Sequence, residues 1–190
     1  MTDEEVALPE VNCEIWGGFV FINMDPECEP LLDYLEVLPD HFANWPLDDR
    51  YVTIHVEKVL PCNWKAAQEA FTEAYHVLET HAQLLAYCSG ANAQYDVFGD
   101  NVTRFHHPFV HPDPSWQAPQ TEQELLDACG MGPEGATLPD GMSARAFVAQ
   151  HLREGMGAAS GVDLSRFSET EMLDSIEYHL FPNMFMFPGT

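Results

Sequence analysis

Basic residues are scarce in this sequence of 190 residues. Seven Lys and Arg stand against 31 Asp and Glu, so the formal net charge at pH 7 is −24. A protein this acidic is repelled by the phosphate backbone of DNA and RNA, which excludes nucleic acid as an expected partner. The charge affects solubility and the docking of basic proteins, but it says nothing about the fold.

Long apolar runs and a leader sequence are also lacking. No stretch approaches the roughly 20 apolar residues that a membrane-spanning helix requires. The first residues, Met-Thr-Asp-Glu-Glu, are acidic and contain no apolar signal-peptide core. We therefore expect a soluble, cytoplasmic protein with no membrane partner.

Closely spaced cysteine pairs are absent. The five cysteines show no Cys-x2-Cys, Cys-x-His or Cys-x2-His spacing. An iron–sulfur cluster of the two-cysteine, two-histidine type needs such pairs, so the chain contains no recognisable ligands for one. An odd, scattered set indicates reduced thiols in an intracellular protein. Its members are Cys13, Cys28, Cys62, Cys88 and Cys129.

Apolar residues, in contrast, are plentiful. They make up 46% of the chain, and aromatic residues make up 12%. A chain of this length and composition can bury a sizeable core, which argues against disorder. No internal repeat of solenoid length is visible.

The strongest local pattern predicts a helix over residues 63–81. Asn63 suits its N-cap, because a side-chain oxygen there can accept a hydrogen bond from the first turn. Apolar residues at three- and four-residue spacing predict that one face packs on a core. These residues are Trp64, Ala67, Phe71, Ala74, Tyr75 and Leu78.

Glu73, His76 and His81 are the candidate metal-binding residues of this helix. Glu73 and His76 are three residues apart and share a surface, whereas His81 lies about 140° further round an ideal helix than His76. The two imidazoles can meet one ion only if the helix bulges or unwinds, which we expect near residues 78–80. The spacing alone also fits a pair of partly exposed histidines, and zinc accepts imidazole as readily as iron does.

The sequence around these residues resembles the iron-site helix of the large (α) subunit of Rieske-type aromatic-ring-hydroxylating oxygenases. In that family, Asn-Trp-Lys is followed by an acidic residue. A histidine lies three residues after the acid, and a second histidine lies five residues after the first. The matching segments are Asn63-Trp64-Lys65, Glu69-Ala70-Phe71, Glu73-Ala74-Tyr75-His76-Val77 and His81.

The resemblance implies roles for several residues. His76 and His81 would bind mononuclear non-haem Fe(II), and Glu73 would link the iron site to the Rieske [2Fe-2S] cluster of a neighbouring subunit. The third iron ligand would be an aspartate beyond Thr190. A substrate pocket would be lined by Ala70, Phe71, Val77, His179 and Asn183, although the residues alone favour a hydrogen-bonded structural role for His179.

The resemblance also implies a fold and a domain organisation. The run from Trp16 to Leu35 is similar to the family's exit from the Rieske domain, so residues 1–45 would be the tail of that domain and a linker. Residues 46–190 would be the N-terminal part of the mononuclear-iron catalytic domain. The implied fold is α+β, a helix-grip with an antiparallel sheet around a long helix, incomplete at the C-terminus.

Weaker patterns predict the remaining elements. Alternating apolar residues predict strands at residues 13–23 with a Gly-Gly bend, 51–59, 93–105 as a hairpin, and 176–181. Leucine spacing and capping-box patterns predict short helices at residues 31–38, 121–130, 143–154 and after Ser168. A second histidine group, His106, His107 and His111, straddles a proline-rich loop and has no accompanying acids, so we interpret it as structural.

The implied function is hydroxylation of an aromatic or other hydrophobic substrate with Fe(II) and dioxygen. The implied partners are further α subunits in a trimer, with or without β subunits, and a ferredoxin and/or an NAD(P)H-dependent reductase. Without cluster ligands we expect no turnover by this chain alone. The sequence leaves open the substrate and the choice between mono- and dioxygenation. It also leaves open three alternatives, which are a metal-free module for hydrophobic ligands, a zinc hydrolase and an inactive remnant.

Overall fold

The computed structural model describes residue 2 and residues 6–117, 119 and 121–189. Its contacts divide the chain into two compact units, Met1–Val56 and Glu57–Thr190. None of the helices in the described part of the chain is long and apolar enough to cross a membrane. The assignment of residues 1–45 to the end of a Rieske domain remains a prediction.

The first unit is a hairpin followed by short helices. Strands β1 and β2 pair antiparallel across a turn at Gly17 and Gly18, which confirms the predicted Gly-Gly bend. Gly17 has φ of +58°, and a Cβ there would lie 2.8 Å from the Leu47 side chain, so the turn requires glycine. The elements are β1 (Asn12–Trp16), β2 (Phe19–Asn23), helices α1 (Leu31–Tyr34) and α2 (Leu38–His41), and a 3₁₀ turn (Leu47–Asp49).

The second unit contains one four-stranded antiparallel sheet with helices around it. The strand order is β3-β4-β5-β6, and each strand pairs with the next in the chain. The strands are β3 (Gln94–Val97), β4 (Val102–His107), β5 (Ser175–Leu180) and β6 (Met184–Met186). The helices are α3 (Trp64–Glu69), α4 (Val77–Thr80), α5 (Glu122–Cys129), α6 (Ala144–Ser160) and α7 (Glu169–Leu173), with 3₁₀ turns at Ala82–Leu84 and Gly90–Asn92.

Local sequence signals fix the ends of the helices. The capping boxes predicted at Thr121 and Ser168 are both present, each with the side chain and the third residue's carboxylate bonded reciprocally. Gly130 ends α5 in the left-handed conformation, as the sequence predicts. Together with the antiparallel sheet, these helices confirm the predicted α+β class.

The predicted strand at residues 51–59 is wrong. The segment belongs to no helix or strand, and its apolar side chains are exposed, with 84% exposure at Val52 and 95% at Val59. Alternating apolar residues fit a pleated surface only when a neighbouring strand completes the hydrogen-bond ladder. Among the described residues no strand pairs with this segment.

The single helix predicted over residues 63–81 is also wrong. Asn63 is the N-cap as expected and accepts a hydrogen bond from the Lys65 N–H, but α3 ends at Glu69 and α4 begins only at Val77. The Glu73 carboxylate accepts hydrogen bonds from the backbone N–H groups of Tyr75 and His76. Such local bonds offer the backbone an alternative to the helical ladder, so the helix breaks here.

Candidate active site

His76 and His81 lie at the two ends of α4. His76 is its N-cap, and His81 is its C-cap with φ −125° and ψ 38°, outside the helical region. The helix therefore ends just before His81, within the region where the sequence predicts an irregularity. The two ring centres are 5.3 Å apart, and the ring planes are inclined by 75°.

This spacing fits two imidazoles on one metal ion. Metal–nitrogen bonds of about 2.1 Å place each ring centre roughly 3.3 Å from a shared ion. Two ring centres 5.3 Å apart are thus within reach of one ion. In the described ranges, no group of three His, Cys, Asp or Glu residues is placed to hold a metal. The assignment of His76 and His81 as metal ligands remains a prediction.

Glu73 fixes the orientation of the His76 ring. Its Oε1 lies 2.5 Å from Nδ1 of His76, and its Oε2 accepts hydrogen bonds from the N–H groups of His76, at 3.1 Å, and Tyr75. Partial burial acts to raise the pKa of Glu73, but these hydrogen bonds outweigh it and lower that pKa below its usual value. With Nδ1 engaged, Nε2 of His76 is the nitrogen left for a metal.

A cavity of about 150 Å³ adjoins His76. Its lining includes five of the residues that the sequence singles out, namely Ala70, Phe71, Glu73, His76 and Val77. A cavity of about this volume is large enough for a single benzene ring, although this one also has polar walls at Glu73 and His76. A larger cavity of about 620 Å³ shares Glu73, Val77 and Phe105 with it and is within the usual range for small-molecule sites.

His179 and Asn183 do not line the cavity beside His76. His179 lies on β5, contacts the Gln68 side chain and stacks on Phe185 with ring centres 5.3 Å apart. Burial lowers the pKa of His179, which favours its neutral form. Asn183 is exposed in the turn between β5 and β6. The assignment of these two residues to a substrate pocket remains a prediction.

Glu177 is a cavity residue that sequence reasoning missed. It lies on β5, only 8% exposed, directly opposite Phe105 of β4. Its Oε1 accepts a hydrogen bond of 2.6 Å from the Ser175 hydroxyl, whereas Oε2 is buried without a hydrogen-bond partner among the described residues. Burial raises the pKa of this carboxyl group. A charged residue inside an alternating apolar strand is the signal that could have identified it.

Replacing Glu177 with glutamine should stabilise the protein near neutral pH. A buried carboxylate oxygen without a partner costs more than a neutral amide in the same place, so the free energy of unfolding should rise by about 1–2 kcal/mol. Because the folded state binds the Glu177 proton more tightly than the unfolded state does, the contribution of Glu177 to wild-type stability falls as pH rises above the unfolded pKa of about 4.3.

Urea unfolding of wild type and Glu177→Gln at pH 7 and at pH 4 measures this effect. We expect the difference in the free energy of unfolding between the two proteins to be large at pH 7 and smaller at pH 4. A Glu177→Gln protein that is less stable at pH 7 would contradict the buried, unpartnered state of this oxygen.

Cys88 and His107 form an uncharged pair on the cavity wall. The Cys88 sulfur lies 3.3 Å from Nε2 of His107, and both residues are buried. Burial raises the pKa of the Cys88 thiol to about 12 and lowers the pKa of His107. A thiol with so high a pKa is not an activated nucleophile.

Asp174 organises the loop that reaches the cavity. Its carboxylate accepts hydrogen bonds from Arg145 at 2.7 and 2.9 Å, from the Phe109 N–H at 3.0 Å, and pairs with Nε2 of His106 at 2.8 Å. Burial acts to raise the pKa of Asp174, but these partners hold it at about 2. His106 is thus hydrogen-bonded to an acid, Asp174, that the sequence pattern did not indicate.

Comparison with known proteins places the chain in a family. The glycine betaine monooxygenase oxygenase subunit of Chromohalobacter salexigens is 32% identical over 69 residues, which cover 36% of this chain and 16% of that protein. The sequence model of the ring hydroxylating alpha subunit, catalytic domain, matches residues 40–190. This match extends over most of the chain and includes Glu73, His76 and His81. The chain therefore belongs to the ring hydroxylating alpha subunit family, and its matched residues lie in that family's catalytic domain.

Proposed function

We propose that this chain is the iron-binding part of an oxygenase that hydroxylates a small organic molecule. The observation that carries the proposal is the arrangement of Glu73, His76 and His81, in which one histidine ring is held by a carboxylate and the second lies 5.3 Å away. Two imidazoles and one carboxylate are the donor set of non-haem Fe(II) oxygenases. The third donor is the aspartate that the resemblance implies beyond Thr190.

Each residue has a separate task in this proposal. His76 and His81 hold the ion, and Fe(II) supplies the position at which dioxygen is activated. Glu73 holds the His76 ring through Nδ1 and, by the resemblance, also links it to a Rieske cluster on a neighbouring subunit. Phe71 and Val77 form apolar walls of the adjacent cavity.

The proposed partners follow from the need for electrons. The sequence contains no recognisable cluster ligands, so electrons reach the iron only from a Rieske cluster outside this sequence, supplied by a ferredoxin and/or an NAD(P)H-dependent reductase. A ring of three α subunits would bring such a cluster beside Glu73. The family's description points to ring hydroxylation, and the Chromohalobacter relative is named for glycine betaine, so we propose one of these two substrate classes.

A Glu73→Gln variant tests the role of this carboxylate. Glutamine can accept a hydrogen bond from Nδ1–H of His76 only with a neutral amide oxygen, so it holds the ring more weakly than the carboxylate does. We expect Fe(II) affinity to fall by about 10- to 100-fold, the usual effect of losing a partner of a metal-bound histidine. Anaerobic titration with Fe(II) measures it.

The matched control is Glu69→Gln, which removes the same charge from an exposed position at the end of α3. This variant should bind Fe(II) as the wild type does. An equal loss of affinity in both variants would show that general charge, and not the Glu73–His76 contact, supports the metal. Tighter binding by Glu73→Gln would contradict the proposal directly.

A further inference from the structure

Two cavities of the second unit share part of their walls. The cavity beside His76 has a volume of about 150 Å³, and its neighbour has a volume of about 620 Å³. Among the described residues, three line both cavities, namely Glu73, Val77 and Phe105. Phe105 has the largest side chain of the three, and it is only 5% exposed. Its ring is therefore the main obstacle between the two volumes.

The register of the sheet places Phe105 at the boundary between these cavities. Phe105 on β4 lies directly opposite Tyr95 on β3 and directly opposite Glu177 on β5. Side chains paired in this way point to the same face of a sheet, and their Cβ atoms are about 5 Å apart. Of the two cavities, Tyr95 lines the larger and Glu177 lines the smaller. The three residues thus form a row on one face of the sheet, with the Phe105 ring between the two cavities.

A different part of the chain forms the other side of the boundary. Val77, at the start of α4, is 6% exposed and lines both cavities. Glu73 also lines both, and it is held by its hydrogen bonds to His76 and to the Tyr75 N–H. Buried side chains in close-packed surroundings have little room to move aside. The boundary is therefore fixed by the sheet on one side and by the segment that carries His76 on the other.

We propose that Phe105 is a specificity-determining residue, whose ring limits the cavity beside His76 to groups of about the size of one benzene ring. The inference rests on the proposed function, because it concerns the size of the substrate at the same iron site. In the wild type, a longer molecule can enter the larger cavity but cannot extend past Phe105 towards His76. Removal of the ring joins the two cavities, so a molecule with two fused rings then reaches His76.

Two alcohols that differ by one fused ring test the proposal. Benzyl alcohol carries one ring, and naphthalen-2-ylmethanol carries two. His107 reports on the smaller cavity, because it lines that cavity, is buried and is not a proposed iron ligand. An aromatic ring beside it shifts its imidazole resonances, which NMR titration of isotope-labelled, metal-free protein measures. In the wild type we expect naphthalen-2-ylmethanol to need at least about a tenfold higher concentration than benzyl alcohol to shift them, the usual order of cost for an oversized group.

Variants of Phe105 should reduce this difference. In Phe105→Ala both alcohols should shift His107 at concentrations within about threefold of each other. Phe105→Leu removes the ring but retains an apolar side chain, so it keeps the test decisive if the alanine variant does not fold, and its difference should lie between those of Phe105→Ala and wild type. The matched control is Leu85→Ala, because Leu85 is buried and lines the larger cavity but not the smaller one. Its difference should equal that of the wild type.

Several outcomes would overturn the inference. They are a wild type in which both alcohols shift His107 at equal concentrations, a wild type in which benzyl alcohol does not shift it, an undiminished difference in both Phe105 variants, and a lost difference in Leu85→Ala. Anaerobic Fe(II) titration of the same proteins separates this inference from the proposed function. A size limit without Fe(II) binding would refute the iron site and retain the role of Phe105, whereas Fe(II) binding without a size limit would refute only that role.

Discussion

Replacing Asp174 with alanine should lower the free energy of unfolding by about 3–5 kcal/mol, the usual cost of removing one partner from a buried ion pair. The Asp174 side chain is 1% exposed and that of Arg145 is 14% exposed. Without the carboxylate, the largely buried Arg145 guanidinium loses both of its hydrogen bonds to Asp174 and keeps only the more distant Glu169 carboxylate, at 3.6 Å, as an ionic partner, and the Phe109 N–H loses its acceptor. The loss therefore combines a weakened ion pair with an unsatisfied backbone donor.

Urea unfolding followed by far-UV circular dichroism measures this loss. Asp140→Ala, at an exposed loop position, is the control and should change stability by no more than about 0.5 kcal/mol. Asp174→Asn keeps the shape of the side chain and removes its charge, so its free energy of unfolding should lie between those of Asp174→Ala and wild type. A loss of less than about 1 kcal/mol in Asp174→Ala would show that the cluster contributes little to stability.

Asp174 should also make the stability of the protein depend on pH in the acid range. The pKa of Asp174 is about 2 in the folded protein and roughly 3.9 in an unfolded chain. Its stabilisation is therefore fully present above about pH 4 and is lost as pH falls towards 2. The stability difference between wild type and Asp174→Asn should shrink over this window, and a constant difference would contradict the assignment.

Local sequence signals predicted the features that depend on a few neighbouring residues. The capping boxes at Thr121 and Ser168, the N-cap at Asn63 and the glycine end of α5 all involve contacts within one helical turn. Propensity and spacing carry enough information for such contacts. The family resemblance rested on the same kind of contiguous pattern.

Features that depend on distant residues were not predictable in this way. Asp174 meets His106 across 68 residues and Phe109 across 65. Glu177 enters the cavity because the register of β4 and β5 places it opposite Phe105. The strand predicted at residues 51–59 is wrong although its apolar residues alternate, because no described strand pairs with this segment.

The break in the iron-site helix has a third cause. Its apolar residues have helical spacing, but the Glu73 side chain accepts hydrogen bonds from two backbone N–H groups. These bonds compete with the backbone hydrogen bonds of a helix. The same contact orients His76. The helical sequence pattern thus fails to form a continuous helix at the point where the proposed function needs a particular geometry. Functional sites are where sequence patterns and structure are expected to disagree.

In the proposed site, His76 and His81 together hold one iron ion. Each imidazole supplies one donor, so removing either should weaken binding strongly and removing both should abolish it. The His76 side chain makes no capping hydrogen bond to α4, so its replacement by alanine removes no helix cap. We expect the double variant to fold with an unchanged circular dichroism spectrum.

The most direct measurement is metal analysis after anaerobic reconstitution with Fe(II), made on wild type and on the variant carrying His76→Ala and His81→Ala. Replacement of both of the two imidazole ligands predicts at least about a 100-fold loss of affinity. We expect about one iron ion per wild-type chain and none in the double variant, since a two-histidine site holds one ion. Equal iron content in the two proteins would contradict the iron site and, with it, the proposed oxygenase.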